Sequence, residues 1–120
     1  RRTSWSRTGD TCTRAGWDLT GAEQTEGEAL ANLIEDAARD VPDVLTRRVA
    51  CLMGCKSGCN VAVQAHGKLS YTIGNFEPLA EAAAGIVTYA SLHAGSTSGQ
   101  VPYRYWPSAI KGHFVTRHPP

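Results

Sequence analysis

Apolar residues recur at the spacing of one helical face in two segments of this chain. The first covers residues 26–39, and its apolar positions follow an i, i+3, i+4, i+7, i+8 pattern: Leu30, Leu33, Ile34, Ala37 and Ala38. Thr25 is a suitable N-cap, and Glu28, three residues later, completes a capping box. The pattern predicts an amphipathic helix that ends before Pro42, because proline interrupts helical hydrogen bonding.

The second helical segment follows Pro78, a residue that the first turn of a helix tolerates. Its apolar stripe consists of Leu79, Ala83, Ile86, Val87 and Ala90. We predict that this helix ends near Gly95 and that residues 95–102 form a loop. A third, short helix is predicted over residues 106–114, with Pro107 in its first turn.

Alternation with a period of two predicts strands between the two helices. The apolar positions of the two arms of a hairpin are Val61, Val63, Ala65, Leu69, Tyr71 and Ile73, and residues 66–68 form its turn. Residues 47–50 predict a short strand that leads into Cys51. Residues 1–24 have a poor pattern: we expect residues 1–9 to be irregular and any strand leading into Cys12 to be short and weakly apolar.

This order of elements predicts one α+β domain over residues 1–120, a small mixed sheet flanked by helices. The net charge of +1, from 12 basic and 11 acidic residues, gives no reason to expect nucleic acid or an anionic membrane as a partner. No apolar run approaches the roughly 20 residues of a membrane span. The opening Arg1 and Arg2 are not followed by the apolar region of an export signal, so we expect a cytoplasmic protein.

Four cysteines carry the most specific chemistry of the sequence. Cys51, Cys55 and Cys59 are spaced four apart in the segment CLMGCKSGC, and Cys12 lies upstream. Four thiolates suit a tetrahedral metal ion or an iron–sulfur cluster. Because the cysteine loop falls between two predicted strands and Cys12 follows the first, we expect the four sulfurs to meet at one edge of the sheet.

The same residues allow other interpretations. An all-sulfur set suits zinc, copper(I) or an iron–sulfur cluster, but the spacing differs from that of zinc knuckles. Two disulfides are disfavoured in a cytoplasmic protein of this length. The histidines are scattered; His93, for example, lies near a helix C-terminus, where a cation is favourable. We expect the aromatic residues Tyr103, Tyr105 and Trp106 to pack in the core, with a docking patch as the alternative role.

The segments CLMGCKSGCNVAVQAHGKLSYTIG and GQVPYRYWPSAIKGHFVTRHPP resemble the bacterial DUF1636 family of predicted metal-binding proteins, with a match over residues 10–120. The start of the cysteine motif is similar to that of the thioredoxin-like [2Fe–2S] ferredoxins. The resemblance implies a thioredoxin-like fold and a [2Fe–2S] cluster on Cys12, Cys51, Cys55 and Cys59. The alternatives are a [4Fe–4S] cluster or zinc. The family usually carries a C-x2-C near its start, and here Gly9 stands in place of the first cysteine.

We therefore expect an electron carrier, not an enzyme, that donates single electrons to a redox partner such as a reductase or oxygenase. The resemblance suggests a place in aerobic cobalamin biosynthesis. Besides the redox partner, we expect that a second copy of the chain can associate with it as a homodimer. The first rival function is a non-redox module that binds or delivers zinc or cobalt. The second is a thiol–disulfide redox protein, although this chain lacks the C-x2-C motif that such proteins use.

Overall fold

The structure is a computed structural model that describes residues 4–9, 26–49, 59–76 and 79–119. Its elements are β1 (Ser4–Gly9), α1 (Glu26–Ala38), β2 (Val44–Val49), β3 (Cys59–Gln64), β4 (Ser70–Phe76), α2 (Ala80–Gly95), a 3₁₀ turn (Tyr103–Tyr105) and β5 (Phe114–His118). The strands form one sheet in the order β2-β1-β3-β4-β5. Only the β1–β2 pair is parallel among these neighbours. This is the predicted α+β class, and it is compatible with a small thioredoxin-like fold.

Both helices lie on one face of the sheet, because α1 and α2 contact each other and each contacts β1. Most residues of the predicted apolar stripes lie in the core: Leu30, Ile34, Ala83, Ile86 and Ala90 are at most 1% exposed. Leu79 is the exception, since it is 45% exposed. The β3–β4 hairpin adds Val61, Val63 and Ile73, which are fully buried beneath them. Full burial of an aliphatic side chain of this size contributes about 1.5–3 kcal/mol, so this helix-facing layer dominates the stability of the domain.

β1 (Ser4–Gly9) is the short, weakly apolar strand that was expected before Cys12, and it lies in the interior of the sheet between β2 and β3. Residues 4–9 are therefore not irregular, which corrects the other part of the expectation. Ser4, Ser6 and Thr8 are at most 2% exposed and face the helices. Trp5 and Arg7 lie on the opposite face, because successive side chains of a strand alternate. A strand whose buried side is polar lacks the apolar alternation by which strands are recognised in a sequence.

β2 begins earlier than predicted, at Val44, and Ala50 lies outside the described residues. Val44 is 4% exposed and belongs to the core. Arg48, on the same side of the strand, reaches α1. Its guanidinium donates to both carboxylate oxygens of Glu35 at 2.7 Å and also contacts the amide oxygen of Asn32. This hydrogen-bonded pair lowers the pKa of Glu35 and fixes β2 against α1.

The predicted helix over residues 106–114 is wrong. The chain there makes turns through Gly112, whose φ is +86°, and then forms β5 antiparallel to β4. Trp106, Ile110 and Phe114 are spaced four apart, which imitates a helical face. In the fold they reach the core from separate turns and from a strand, and the rings of Trp106 and Phe114 lie 4.4 Å apart between centroids.

The expectation of core packing holds for only one of the three clustered aromatic residues. Trp106 packs against the core, and its indole N–H donates to Val101 O at 2.8 Å. Tyr103 and Tyr105 are 61% and 55% exposed. In the part of the chain that the structure describes, no helix has both the length and the apolar character to cross a membrane.

Candidate functional site

One end of the sheet gathers the strand ends from which the cysteine segments depart. β1 and β2 run in parallel, and their last residues, Gly9 and Val49, are register partners. β3 runs antiparallel to β1 with Thr8 opposite Val61, so its first residue, Cys59, lies at this same end. Since β2, β1 and β3 are adjacent, three neighbouring strand ends meet here.

The structure describes only one of the four predicted cysteine ligands. Cys12, Cys51 and Cys55 lie outside the described residues. Cys59 is the first residue of β3, and its backbone is paired with that of Phe76 on β4. The structure thus places the backbone of one predicted ligand at the end of the sheet, and the four-thiolate site stays a prediction.

Chain connectivity brings two further cysteines within reach of this end. Cys51 follows Val49 by two residues, and Cys12 follows Gly9 by three. Neighbouring strands are about 4.8 Å apart, and each extended residue spans at most about 3.6 Å. Covalent geometry therefore allows both cysteines to approach the first residue of β3 without any rearrangement of the sheet.

A β-bulge in β4 lies near the Cys59 end of the hairpin and is held by hydrogen bonds to His113. The register between β3 and β4 shifts between Cys59 and Val61, so β4 carries an extra residue here. The amide of Gly74 donates to His113 O at 2.8 Å, and the Nδ1–H of His113 donates back to Gly74 O at 2.8 Å. The imidazole of His113 stacks on the Phe76 ring, with centroids 4.4 Å apart. These contacts tie the bulge to the residue before β5 and hold this end of the sheet in place.

Within the described ranges, no group of three or more histidine, cysteine or carboxylate side chains could hold a metal ion. The predicted set draws three of its four members from beyond those ranges. The finding therefore concerns sites of mixed ligands within the helices and the sheet, and it does not test the thiolate set.

His93 corrects the sequence-based view of a favourable cation at the end of α2. Its side chain is fully buried, with Nδ1 2.7 Å from Ser4 Oγ and Nε2 2.7 Å from Leu69 O. A carbonyl oxygen only accepts, so Nε2 carries the proton and Nδ1 accepts from Ser4. Burial lowers the pKa of His93, the nearby charge of Lys68 lowers it further, and the bond to Leu69 opposes both. The imidazole is therefore neutral.

Lys68 is the residue that supplies the cation at the C-terminus of α2. Its ammonium donates to His93 O at 3.1 Å and to Ala94 O at 2.5 Å, and the residue is only 8% exposed. Carbonyls in the last turn of a helix lack intrahelical partners and carry partial negative charge. The sequence marked Lys68 only as part of a turn, because its partners lie about 25 residues away along the chain.

Comparison with known proteins gives one match. The chain matches the family described as "Protein of unknown function (DUF1636)" over residues 9–120. Searches of curated proteins and of solved structures found no match. Because the match extends over nearly the whole chain of 120 residues, the protein belongs to the DUF1636 family.

Proposed function

We propose that this protein is a small iron–sulfur electron carrier with a [2Fe–2S] cluster held by Cys12, Cys51, Cys55 and Cys59. The observation that supports this proposal is the meeting of three strand ends at one end of the sheet. Two of these strands lead within three residues to a cysteine, and the third begins with one. A cluster needs several thiolates at one point, and strand ends that meet at one end of the sheet support such an arrangement.

The chemistry of the donor set fits an iron–sulfur cluster. Four thiolates are soft ligands, which suit Fe–S clusters and zinc and are poor ligands for magnesium or calcium. When bound, a [2Fe–2S] cluster would supply reversible one-electron transfer. The chain itself would hold the four thiolates at fixed separations on a rigid sheet end and limit the access of water.

The close packing of the sheet end supports this role. Thr8 and Asn60, next to the strand ends, are at most 2% exposed, so the strands are closely packed there. Cys59 is in addition tied through its backbone to Phe76, whose ring is 1% exposed. Ligands on rigid elements hold a metal site more precisely than ligands on loops alone.

The partner and setting follow from this role. We propose a reductase or oxygenase as the redox partner, the cytoplasm as the compartment, and a reductive step of aerobic cobalamin biosynthesis as one context. Electron transfer requires only a surface that brings the partner near the sheet end, so no substrate pocket is required.

Anaerobic purification and cluster reconstitution test the proposal directly. We expect a coloured protein with about two irons and two sulfides per chain and a rhombic EPR signal after reduction. Colourless protein with stoichiometric zinc after reconstitution would contradict electron transfer and favour the module that binds or delivers metal.

Single serine variants test the ligand set. Replacing Cys51, Cys55 or Cys59 by serine should abolish or strongly reduce iron content, because an alcohol is a much poorer ligand for iron than a thiolate. Cys12→Ser tests whether Cys12, the predicted ligand that follows β1 in the sequence, also binds iron. Thr97→Ser, an exposed substitution in the loop after α2, is the control and should retain full iron content.

A further inference from the structure

The face of the sheet away from the helices carries two matched pairs of side chains on β1 and β2. Trp5 is the register partner of Leu45, and Arg7 is the register partner of Arg47. Ser4 and Ser6 of β1 face the helices, so these four side chains share the other face. We call the surface formed by Trp5, Arg7, Leu45 and Arg47 the outer face.

The two arginines on the outer face are close together without a balancing charge. Like charges on directly opposed residues of neighbouring strands destabilise a sheet. Among the described residues, neither Arg7 nor Arg47 forms an ion pair, whereas Arg48 pairs with Glu35 and Arg39 pairs with Asp36. The arrangement suits an anionic group supplied from outside the chain.

Arg7 is held in position for such a group. Its guanidinium lies over the Trp5 ring, 5.5 Å from the centroid, in a cation–π contact. Its Nε is buried and has no hydrogen-bond partner among the described residues. This buried atom is not accessible to a partner, so the support for docking comes from the charge of the guanidinium, with which a carboxylate forms strong charge-assisted hydrogen bonds.

Apolar surface lies directly beside the two arginines. Leu45 is 43% exposed and is the register partner of the half-buried Trp5. Arginine and tryptophan are enriched among the residues that dominate protein–protein binding energy. An apolar pair next to a basic pair is suited to a protein surface that is acidic and partly apolar.

We propose that the outer face is the docking surface for an acidic patch on the redox partner. The nature of the partner rests on the proposed function, while the preference for acidic protein groups rests on the charges of Arg7 and Arg47. The two arginines precede the strand ends Gly9 and Val49 by two residues, which is about 7 Å along an extended strand. A partner docked here would lie beside the end of the sheet at which the cysteine segments depart.

The test uses the full chain and a synthetic acidic peptide of alternating glutamate and leucine, followed by NMR through the indole N–H of Trp5. We expect the Trp5 signal to shift on titration at low salt and the binding to weaken as salt is raised. Arg7→Gln and Arg47→Gln should each weaken binding by about two- to five-fold, the range of exposed charge pairs. Arg104→Gln removes the same charge from the exposed 3₁₀ turn, outside the cavity that Trp5 and Leu45 line, and should leave binding unchanged.

Equal binding by the double variant R7Q/R47Q and by R104Q would overturn the proposal. So would inorganic phosphate that shifts the Trp5 signal and displaces the peptide at equal concentration, because the face would then bind small anions and not a protein surface. The readout does not require a cluster. Peptide binding by a zinc-containing protein would therefore reject electron transfer alone, and a cluster-containing protein that fails to bind the peptide would reject the docking surface alone.

Discussion

The imidazole of His93 accepts a hydrogen bond from the hydroxyl of Ser4, with 2.7 Å between Nδ1 and Oγ, and so joins the last turn of α2 to the first residue of β1. The two residues are 89 positions apart in the chain. The same ring binds Leu69 O after the β3–β4 turn, so three elements meet at one neutral histidine. β1 is the strand that leads toward Cys12, and this contact fixes its starting point.

Acidification should destabilise the fold through His93. Burial lowers the pKa of this residue below its usual 6.5, so below pH 6.5 the unfolded chain binds a proton that the folded protein does not. Stability is therefore unaffected above this pH and falls as the pH drops from 6.5 toward the lowered pKa. The slope due to this residue is at most about 1.4 kcal/mol per pH unit. Denaturant unfolding at pH 7.5, 6.5, 5.5 and 5.0 measures it.

His93→Gln isolates this contribution, since an amide donates to Leu69 and accepts from Ser4 without titrating. The variant should have a flatter stability profile between pH 6.5 and 5.0 than the wild type. His66→Gln, in the exposed hairpin turn, is the matched control for the same substitution at another site. If the stability of His93→Gln falls with pH as steeply as that of the wild type, groups other than His93 cause the loss of stability on acidification.

Lys68→Met should destabilise the protein by about 1–3 kcal/mol, because the carbonyls of His93 and Ala94 would lose a charged donor in a buried setting. Removing this charge should also raise the pKa of His93 toward 6.5, so the loss of stability that His93 causes on acidification should end closer to pH 6.5 and be smaller. Thermal unfolding measures the first effect. Lys111→Met is the control, because Lys111 is exposed and its ammonium lies over the Tyr103 ring. Equal melting temperatures for the two variants would contradict the prediction.

Gly99→Ala should be more damaging than Gly112→Ala. Both glycines have positive φ, +91° and +86°, so each substitution carries the left-handed strain of about 1–2 kcal/mol. At Gly99 a Cβ would in addition lie 2.8 Å from Leu69 O and 3.0 Å from Nε2 of His93, whereas at Gly112 it would meet nothing within 4 Å. Chemical denaturation of both variants compares them. A loss at Gly112 as large as that at Gly99 would mean that backbone strain alone decides the effect.

Tyr89→Phe should leave the protein as stable or make it more stable. The Tyr89 ring is fully buried against Trp106 and Phe114, and its hydroxyl has no hydrogen-bond partner among the described residues. Burial also raises the pKa of this hydroxyl, so it stays neutral. Removing a buried hydroxyl without a partner avoids its desolvation cost, about 1–3 kcal/mol at most. A loss of more than about 1 kcal/mol on unfolding would reveal a partner for the hydroxyl. Tyr105→Phe, at an exposed position, serves as the neutral reference.

The elements that the sequence predicted well are those whose buried side is apolar. α1, α2 and the β3–β4 hairpin each repeat aliphatic residues at the period of their own backbone, and these residues form the core. β1 was expected to be irregular or weak because its buried residues are serine and threonine. The hydroxyl of Ser4 is satisfied by the distant residue His93, and this contact cannot be seen in any local stretch of the sequence.

By itself, the sequence determined the α+β order, the two helices, the hairpin and the presence of four cysteines in two separate segments, since periodicity and composition are local properties. The tertiary structure alone decided that residues 114–118 form an edge strand and that the ends of β1 and β2 meet the start of β3. It also decided that His93 is buried and neutral, and that the ammonium of Lys68 binds the carbonyls at the C-terminus of α2. These relationships depend on strand pairing and on burial between residues far apart in the chain. Sequence spacing does not encode such pairings, because hydrogen bonds in a sheet and desolvation in a core arise only when distant segments come together.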